Sequence, residues 1–276
     1  MTRRVCVVGW PLAHSRSPVI HRFWLNELGI NGDYIALPVE PPKAAAFFAK
    51  FADSGFVGAN VTIPHKQVAF AACAVLDPVA RATGAVNTLW LEGAKLRGAN
   101  TDADGFLANL DDRAPGWDDA AGRALVLGAG GGARAIVWGL LRRGLSVTIA
   151  NRTRTHAEAV AAQTAGGIDV RDWTEVPALL AETDLLVNTT SLGLRGQPPL
   201  DIDLAPMPSG SLVADIVYVP LKTPLLTQAE ARGLTAVDGL GMLLHQAAPG
   251  FELWFGQRPK VSAALRAAVI ADLDRV

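Results

Sequence analysis

Short apolar runs alternate along this chain with longer segments whose apolar residues recur every three or four positions, the pattern of strands followed by helices. Residues 5–9 form the first apolar run, and the turn-rich Trp10-Pro-Leu-Ala-His-Ser-Arg-Ser17 follows it. Pro18 suits the first position of a helix capped by Ser17, and Gly29 suits its stop after Leu28. Residues 34–39 predict a second strand, 43–52 a helix and 56–63 a third strand, with Pro64 opening a helix toward Cys73. Residues 86–91 and 95–99 read as a hairpin that turns at Glu92-Gly93-Ala94. A helix from Asp102 then leaves this first unit.

From Arg123 onward the alternation becomes regular. Strands are predicted at 125–127, 145–150, 184–188, 212–215 and 235–237, with helices in most of the gaps, including one over 133–143 closed by Gly144. Two apolar helices, 240–255 and 261–273, close the pattern and are expected to pack back toward the N-terminal unit. The fold class this predicts is α/β in two lobes. An N-terminal α/β domain takes residues 1–101 plus about 241–276, and a doubly wound Rossmann-type domain takes 102–240. A cleft between such lobes, closing on ligand, is the expected place for chemistry.

Composition narrows the setting. Half of the 276 residues are hydrophobic and 18% are charged, enough apolar surface for a sizeable core and too little charge for disorder. A net charge of −1 offers no electrostatic footprint for nucleic acid or a membrane surface, and no apolar run reaches the roughly 18 residues of a membrane span. Two cysteines, Cys6 and Cys73, make neither a disulfide framework nor a metal cluster, and His14, His21, His65, His156 and His245 lack ligand spacing, so no metal is expected. The plain expectation is a cytoplasmic protein, monomer or homodimer, acting on a small molecule.

Leu125-Val-Leu-Gly-Ala-Gly-Gly-Gly-Ala-Arg134 gives that small molecule its first definition. Gly128, Gly130 and Ala133 match the small-residue positions of a dinucleotide fingerprint. Gly128 allows the tight turn, Gly130 lets backbone approach a pyrophosphate, and Ala133 lets the helix pack closely on the strand. At the end of the next strand an NAD binder normally places a carboxylate for the ribose hydroxyls. Here Arg152 stands, 24 positions after Gly128, between Asn151 and Thr153. A cation and two neutral hydrogen-bonding groups suit a 2′-phosphate, so the predicted cofactor is NADP.

The first unit carries polar groups in unusual places. Ser15 and Ser17 lie on a strand-to-helix loop, where hydroxyls and helix-start amides can hold an anion; Ser17 as a simple cap is the bland alternative. In Asn60-Val-Thr-Ile-Pro-His-Lys66, strand periodicity puts Asn60 and Thr62 on one face, and Lys66 falls in the first helical turn, badly placed for the helix dipole. Asn87 sits in Gly84-Ala-Val-Asn-Thr88, and Asp102 ends Asn100-Thr-Asp102, where it would serve as a helix cap if nothing else. His245 and Gln246 lie on the helix after Asp238-Gly-Leu-Gly-Met242.

Taken together, Gly9-Trp-Pro-Leu-Ala-His-Ser-Arg-Ser-Pro18, Gly58-Ala-Asn-Val-Thr-Ile-Pro-His-Lys66, Gly84-Ala-Val-Asn-Thr88, Asn100-Thr-Asp102, Gly128-Ala-Gly130, Asn151-Arg-Thr153 and Asp238-Gly-Leu-Gly-Met242 resemble the shikimate dehydrogenase family, in the family's order and over residues 5–255. The resemblance implies reversible NADPH-dependent reduction of 3-dehydroshikimate to shikimate, on the route to chorismate and aromatic amino acids. It implies that Ser15 and Ser17 hold the substrate carboxylate with help from Tyr218, and that Thr62, Asn87, Asp102 and Gln246, with Asn60 on the same strand face, meet the ring hydroxyls. Lys66 and Asp102 match the catalytic pair, with Lys66 as proton donor in reduction.

On the cofactor side the resemblance implies Gly128, Ala129, Gly130, Gly131, Gly132 and Ala133, then Asn151, Arg152 and Thr153, with Thr189, Thr190, Ile216, Gly239 and Met242 lining the rest. One departure stands out. Many relatives carry a second arginine about three positions beyond the Asn-Arg-Thr; here His156 takes that place, and Arg154 is the expected substitute. The alternatives are an NAD-dependent quinate/shikimate dehydrogenase and a non-catalytic binding module for a cyclic polyol acid.

Overall fold

A computed structural model describes residues 2–12, 15–119, 122–164 and 167–273, so His14 lies outside the described residues. The chain divides into two compact units, Met1–Thr101 with Leu244–Val276, and Asp102–Leu243.

The first unit opens with β1 (Arg3–Gly9), α1 (Ser17–Glu27), β2 (Gly32–Pro38), α2 (Pro41–Ala49), β3 (Gly58–Val61), α3 (Lys66–Ala72), β4 (Val75–Leu76), α4 (Pro78–Thr83), β5 (Thr88–Glu92) and β6 (Lys95–Ala99). Its sheet is mixed, in the order β2-β1-β3-β5-β6-β4. The strands β1, β2 and β3 run parallel, while the hairpin β5–β6 enters antiparallel to β3. One face packs Cys6, Val8, Ala59 and Val61 against Phe48 and Phe51. Strand alternation turns Val5, Val7 and Asn60 to the opposite face.

The second unit contains α5 (Asp102–Arg113), β7 (Arg123–Leu127), α6 (Gly131–Arg142), β8 (Ser146–Asn151), α7 (Arg154–Gln163), β9 (Ile168–Asp172), α8 (Val176–Leu179), β10 (Leu185–Asn188), β11 (Leu212–Asp215), α9 (Pro224–Ala231) and β12 (Thr235–Val237). Its six strands are all parallel, in the order β12-β11-β10-β7-β8-β9. Counting from β7, that is the 3-2-1-4-5-6 order of a dinucleotide-binding sheet, whose ligands sit beyond the carboxyl ends of the strands at the reversal point. Here the reversal point lies between β7 and β10. Both faces are covered, which is why its strands read as continuous apolar runs.

The chain ends with α10 (Leu240–Phe255) and α11 (Ala263–Leu273). From Leu244 onward this stretch belongs to the first unit. Arg3 donates to the Trp254 carbonyl at 2.9 Å, Trp24 Nε1 to the Lys260 carbonyl at 2.9 Å, and Trp254 Nε1 to the Leu89 carbonyl at 2.8 Å.

Several local expectations differ from what the structure shows. The helix α1 begins at Ser17 with Arg16 as its cap residue and no side-chain cap bond, so Ser17 is not the cap. The strand β3 stops at Val61; Pro64 cannot donate to a ladder, the chain turns, and Ile63 is 74% exposed rather than packed. The helix α6 starts two residues earlier than predicted, at Gly131. The sequence pattern does not predict the strands β4 and β9. The first is two residues long, and β9 is a sheet edge whose Ile-Asp-Val-Arg-Asp sequence looks like a solvated loop.

Candidate active site

In the first unit Asn60, Asn87 and Gln246, three of the residues singled out from sequence, join one buried polar network. Asn87 follows the left-handed Gly84 that ends α4, and its backbone N–H is held by the Ala99 carbonyl at 3.0 Å. Its Nδ2 donates to Thr101 Oγ1 at 3.0 Å and to Gln246 Oε1 at 3.4 Å, while its Oδ1 accepts from the Thr101 N–H and the Thr88 hydroxyl, both at 2.9 Å. Thr101 Oγ1 in turn donates to the Gln246 carbonyl at 2.8 Å, which seats α10. Asn60 joins from β3: its Nδ2 donates to the Asn87 carbonyl at 3.2 Å, and its Oδ1 accepts from the Tyr34 hydroxyl at 2.6 Å. Asn60, Asn87, Thr88 and Thr101 are all buried. Networks of this kind hold their members in single orientations.

Lys66 adjoins this network through the main chain. It is the first residue of α3, half-buried, and its carbonyl accepts the Val86 N–H at 3.0 Å, one residue before Asn87. Its predecessor His65 caps the helix and is anchored by a 2.6 Å bond between Nε2 and the Val39 carbonyl. Thr62 is half-buried in the turn between, against Gly9; a Cβ at Gly9 would overlap the Thr62 methyl. Ser15 is half-buried, its N–H donating to the Leu12 carbonyl at 3.0 Å, and Ser17 is buried at the start of α1. Ser17 makes no capping bond, and its hydroxyl neighbours the Tyr34 phenol. Sequence reasoning missed Tyr34, Thr88 and Thr101. Thr101 carried a signal, since it lies inside the Asn-Thr-Asp motif.

In the second unit Gly128 adopts φ +106°, a conformation that favours glycine, and a Cβ there would lie 2.6 Å from Thr189 Oγ1. Gly130 caps α6 without any side-chain bond, and a Cβ on it would meet no protein atom within 4 Å. The first amides of a twelve-residue helix are therefore open to an anion. Around them lies a cavity of ≈ 390 Å³ whose lining includes Gly128, Ala129, Gly130, Asn151, Arg152 and Thr190. A bare helix start, a glycine turn that admits no side chain and a neighbouring guanidinium fit a dinucleotide phosphate.

Further along, the backbone of Gly239 packs so tightly on Ile216 that a Cβ would overlap its carbonyl, while Ile216 also reaches Gly132. Ala133 and Met242 are buried in the core of this unit. The hydroxyls of Thr189 and Thr190 serve the fold, donating to the Leu127 carbonyl at 2.7 Å and to Asn188 Oδ1 at 2.7 Å. Asn188 and Asp215 brace the strand ends beneath, 3.0 Å apart, and burial raises the Asp215 carboxyl to about 6 against its bonds from Val217, Thr223 and Asn188.

The two arginines differ. Arg152 is exposed and among the described residues forms no ion pair. Arg154, expected as a second phosphate ligand, is instead bound to Glu158 at 2.9 Å and Asp172 at 3.0 Å, with a further bond to the Val170 carbonyl. The two carboxylates occupy the guanidinium that a phosphate would need.

Asp102 is the first residue of α5 and buried; Tyr218 is half-buried beyond β11. Thr153 and His156 are exposed, and Gly131 opens α6. Among the described residues, no helix is long and apolar enough to cross a membrane, and no group of three or more His, Cys, Asp or Glu could hold a metal ion.

Comparison with known proteins agrees with this geometry. Residues 7–89 match the family model for the shikimate dehydrogenase substrate binding domain, 115–193 that for shikimate / quinate 5-dehydrogenase, and 239–269 that for the shikimate 5′-dehydrogenase C-terminal domain. The shikimate dehydrogenase (NADP(+)) of Azorhizobium caulinodans is 57% identical, covering 98% of this chain and 97% of that protein. The crystal structure of shikimate 5-dehydrogenase from Thermus thermophilus, in complex with NADP(H) and shikimate, superposes with TM-score 0.87 at 35% identity, covering 99% of both chains. Quinate dehydrogenase from Corynebacterium glutamicum, in complex with NAD, superposes with TM-score 0.88 at 26% identity, covering 98% of this chain and 99% of that one. The chain belongs to the shikimate dehydrogenase family.

Proposed function

We propose that this protein catalyses the reversible, NADP-dependent reduction of 3-dehydroshikimate to shikimate, in the cytoplasm, as a monomer or homodimer. The observation that carries the reading is the buried Asn60–Asn87–Thr101–Gln246 network, a cluster of paired amides and hydroxyls in a unit otherwise packed with aromatic and aliphatic side chains. A polyhydroxylated ring is the kind of ligand such a surface matches. The relatives named above support the choice of ring.

The residues then take the following roles. Ser15 and Ser17 hold the carboxylate, assisted by Tyr218. Thr62, Asn87 and Gln246 orient the ring hydroxyls. Lys66, an ammonium at the start of α3, hydrogen-bonds the carbonyl oxygen and gives it a proton as the C=O bond becomes C–OH; in oxidation it takes that proton back. Asp102 completes the pair by accepting a hydrogen bond from a neighbouring hydroxyl.

Gly128 to Ala133 cradle the pyrophosphate, and Arg152, with Asn151 and Thr153, holds the 2′-phosphate; Ile216, Gly239 and Met242 line the nicotinamide side. Bound there, NADPH supplies the hydride that adds to the carbonyl carbon. The cofactor preference rests on Arg152. The carboxylate nearest in register to Asn151 is Asp172, already committed to Arg154, so the ribose position lacks the acid an NAD site uses.

The test is an absorbance assay at the nicotinamide band with shikimate or quinate against NADP or NAD. Turnover with shikimate and NADP, well above the other three pairs, is expected. Preference for quinate with NAD would replace this reading, and no turnover with any pair would leave a binding module. Light scattering reads the assembly.

A further inference from the structure

Tyr34 lies in β2, two strands from Asn60, with its side chain fully buried. Register explains how they meet. Val5 pairs with both Tyr34 and Gly58, and Val7 pairs with Asn60, so Tyr34, Gly58 and Asn60 face one side of the sheet. Gly58 has no side chain there, and the Trp254 indole fills its place. His21 lies flat on the phenol, ring centroids 4.0 Å apart and planes 8° from parallel, with Trp254 at 6.2 Å. The ring is clamped, and its hydroxyl donates to Asn60 Oδ1 at 2.6 Å.

The Asn87 carbonyl, which can only accept, fixes Nδ2 as the end of the Asn60 amide turned toward it and leaves Oδ1 for the Tyr34 hydroxyl. Nδ2 meets the Asn87 carbonyl at 3.2 Å and the Thr88 hydroxyl at 3.4 Å. Burial pushes the Tyr34 phenol well above its ordinary range, the Cys6 thiol adds to the push, and a hydrogen bond involving Ser17 opposes it. The phenol therefore keeps its proton and can donate to Asn60 Oδ1.

We propose that Tyr34 is a positioning residue of the substrate site: its hydroxyl holds Asn60 Oδ1, and through the Asn60 Nδ2 bond to the Asn87 carbonyl it steadies the Asn87 amide that meets the ring. The proposal deepens the function given above and rests on it.

The experiment compares wild type with Tyr34→Phe, which keeps the clamped ring and removes the donor, varying shikimate and NADP separately. Losing one neutral hydrogen bond corresponds to about 3- to 10-fold, so KM for shikimate rises by about that factor, while kcat and KM for NADP stay within about twofold. In an Asn60→Ala background the same substitution adds nothing, because Tyr34 acts through Asn60. Placing 4-aminophenylalanine at position 34 restores a donor and with it the KM; this form also carries the test if the phenylalanine variant does not fold. An unchanged KM for shikimate, equal rises for both ligands, a full effect in the Asn60→Ala background, or no rescue overturns the proposal. Wild-type protein without shikimate turnover sinks the functional reading and this inference with it. Normal wild-type turnover with an indifferent Tyr34→Phe sinks the inference alone.

Discussion

Arg16 Nε lies 3.1 Å from Asp272 Oδ2, so the cap residue of α1 is tied to the last turn of α11. The N–H is not aimed at the oxygen, which makes the attraction one of charge rather than a formed hydrogen bond. Arg16 is nearly buried, the carboxylate less so, and Ser15 and Ser17 flank it in the chain. Asp272→Asn keeps the shape and removes the charge. Because the pair is only partly buried, the loss should be about 1–3 kcal/mol in chemical denaturation, less than a fully buried pair costs. KM for shikimate should rise with little change in kcat; no shift in either quantity would show the tether to be idle.

Lys66→Ala should lower kcat by about 10²- to 10⁴-fold, the usual worth of a positioned acid–base group. Binding of shikimate, followed by titration calorimetry, should weaken far less. Near-normal turnover would remove Lys66 from the chemistry.

Arg152 and Arg154 should separate cleanly. Arg152→Ala is expected to raise KM for NADPH much more than KM for NADH, since only one of the two cofactors carries the 2′-phosphate. Arg154→Ala should leave both KM values nearly unchanged, because that guanidinium is held by Glu158 and Asp172. Its exposed pairs should contribute little to stability. A large NADPH-specific effect at Arg154 would reverse the assignment.

His21 gives the protein an acid-side weakness. Burial holds its imidazole down from 6.5 to about 3, opposed by the Asn60 amide, which is not aligned for a full hydrogen bond to either ring nitrogen. The folded state therefore refuses a proton that the unfolded chain accepts below 6.5. Stability is unaffected above that pH and falls below it by about 1.4 kcal/mol per unit, about 2 kcal/mol by pH 5. Asp215, raised to about 6, works in the opposite direction: its contribution is present at low pH and lost as pH rises through 6. His21→Phe leaves Asp215 untouched, so the difference between variant and wild type isolates His21. Urea denaturation at pH 7 and pH 5 should show a shallower acid loss in His21→Phe; parallel losses would clear His21.

Gly239→Ala should be poorly tolerated. The added methyl would overlap the Ile216 carbonyl, which is backbone and cannot swing aside. Overpacking of this kind costs about 1–3 kcal/mol or more, and displacing Ile216 should weaken NADP binding as well. Wild-type stability and cofactor affinity in this variant would contradict the close approach.

Legibility in the sequence followed local chemistry. Residues 212–215, 235–237 and 240–255 were placed to the residue because Gly210, Gly233 and Asp238-Gly239 punctuate them. Asn60 and Asn87 are legible as polar residues inside named motifs, and Gln246 as one on the helix that follows another. Tyr34 did not, since in a strand an aromatic residue reads as core, and periodicity assigns a face without saying which side chain reaches across an intervening strand. Spacing from Asn151 says nothing of competition for Arg154: Glu158 at i+4 is legible in the sequence, whereas Asp172 is brought near only by the pairing of β9 with β8.

The first unit is written in two pieces, with the whole of the second inserted after Thr101. A ribosome therefore completes the parallel sheet while β3 still lacks the indole that fills the gap over Gly58, and while Trp24 still lacks the Lys260 carbonyl. During that interval His21, Tyr34 and Trp24 lack the rings of Phe251 and Trp254 that pack against them in the folded unit. The half begun first is the half that matures last.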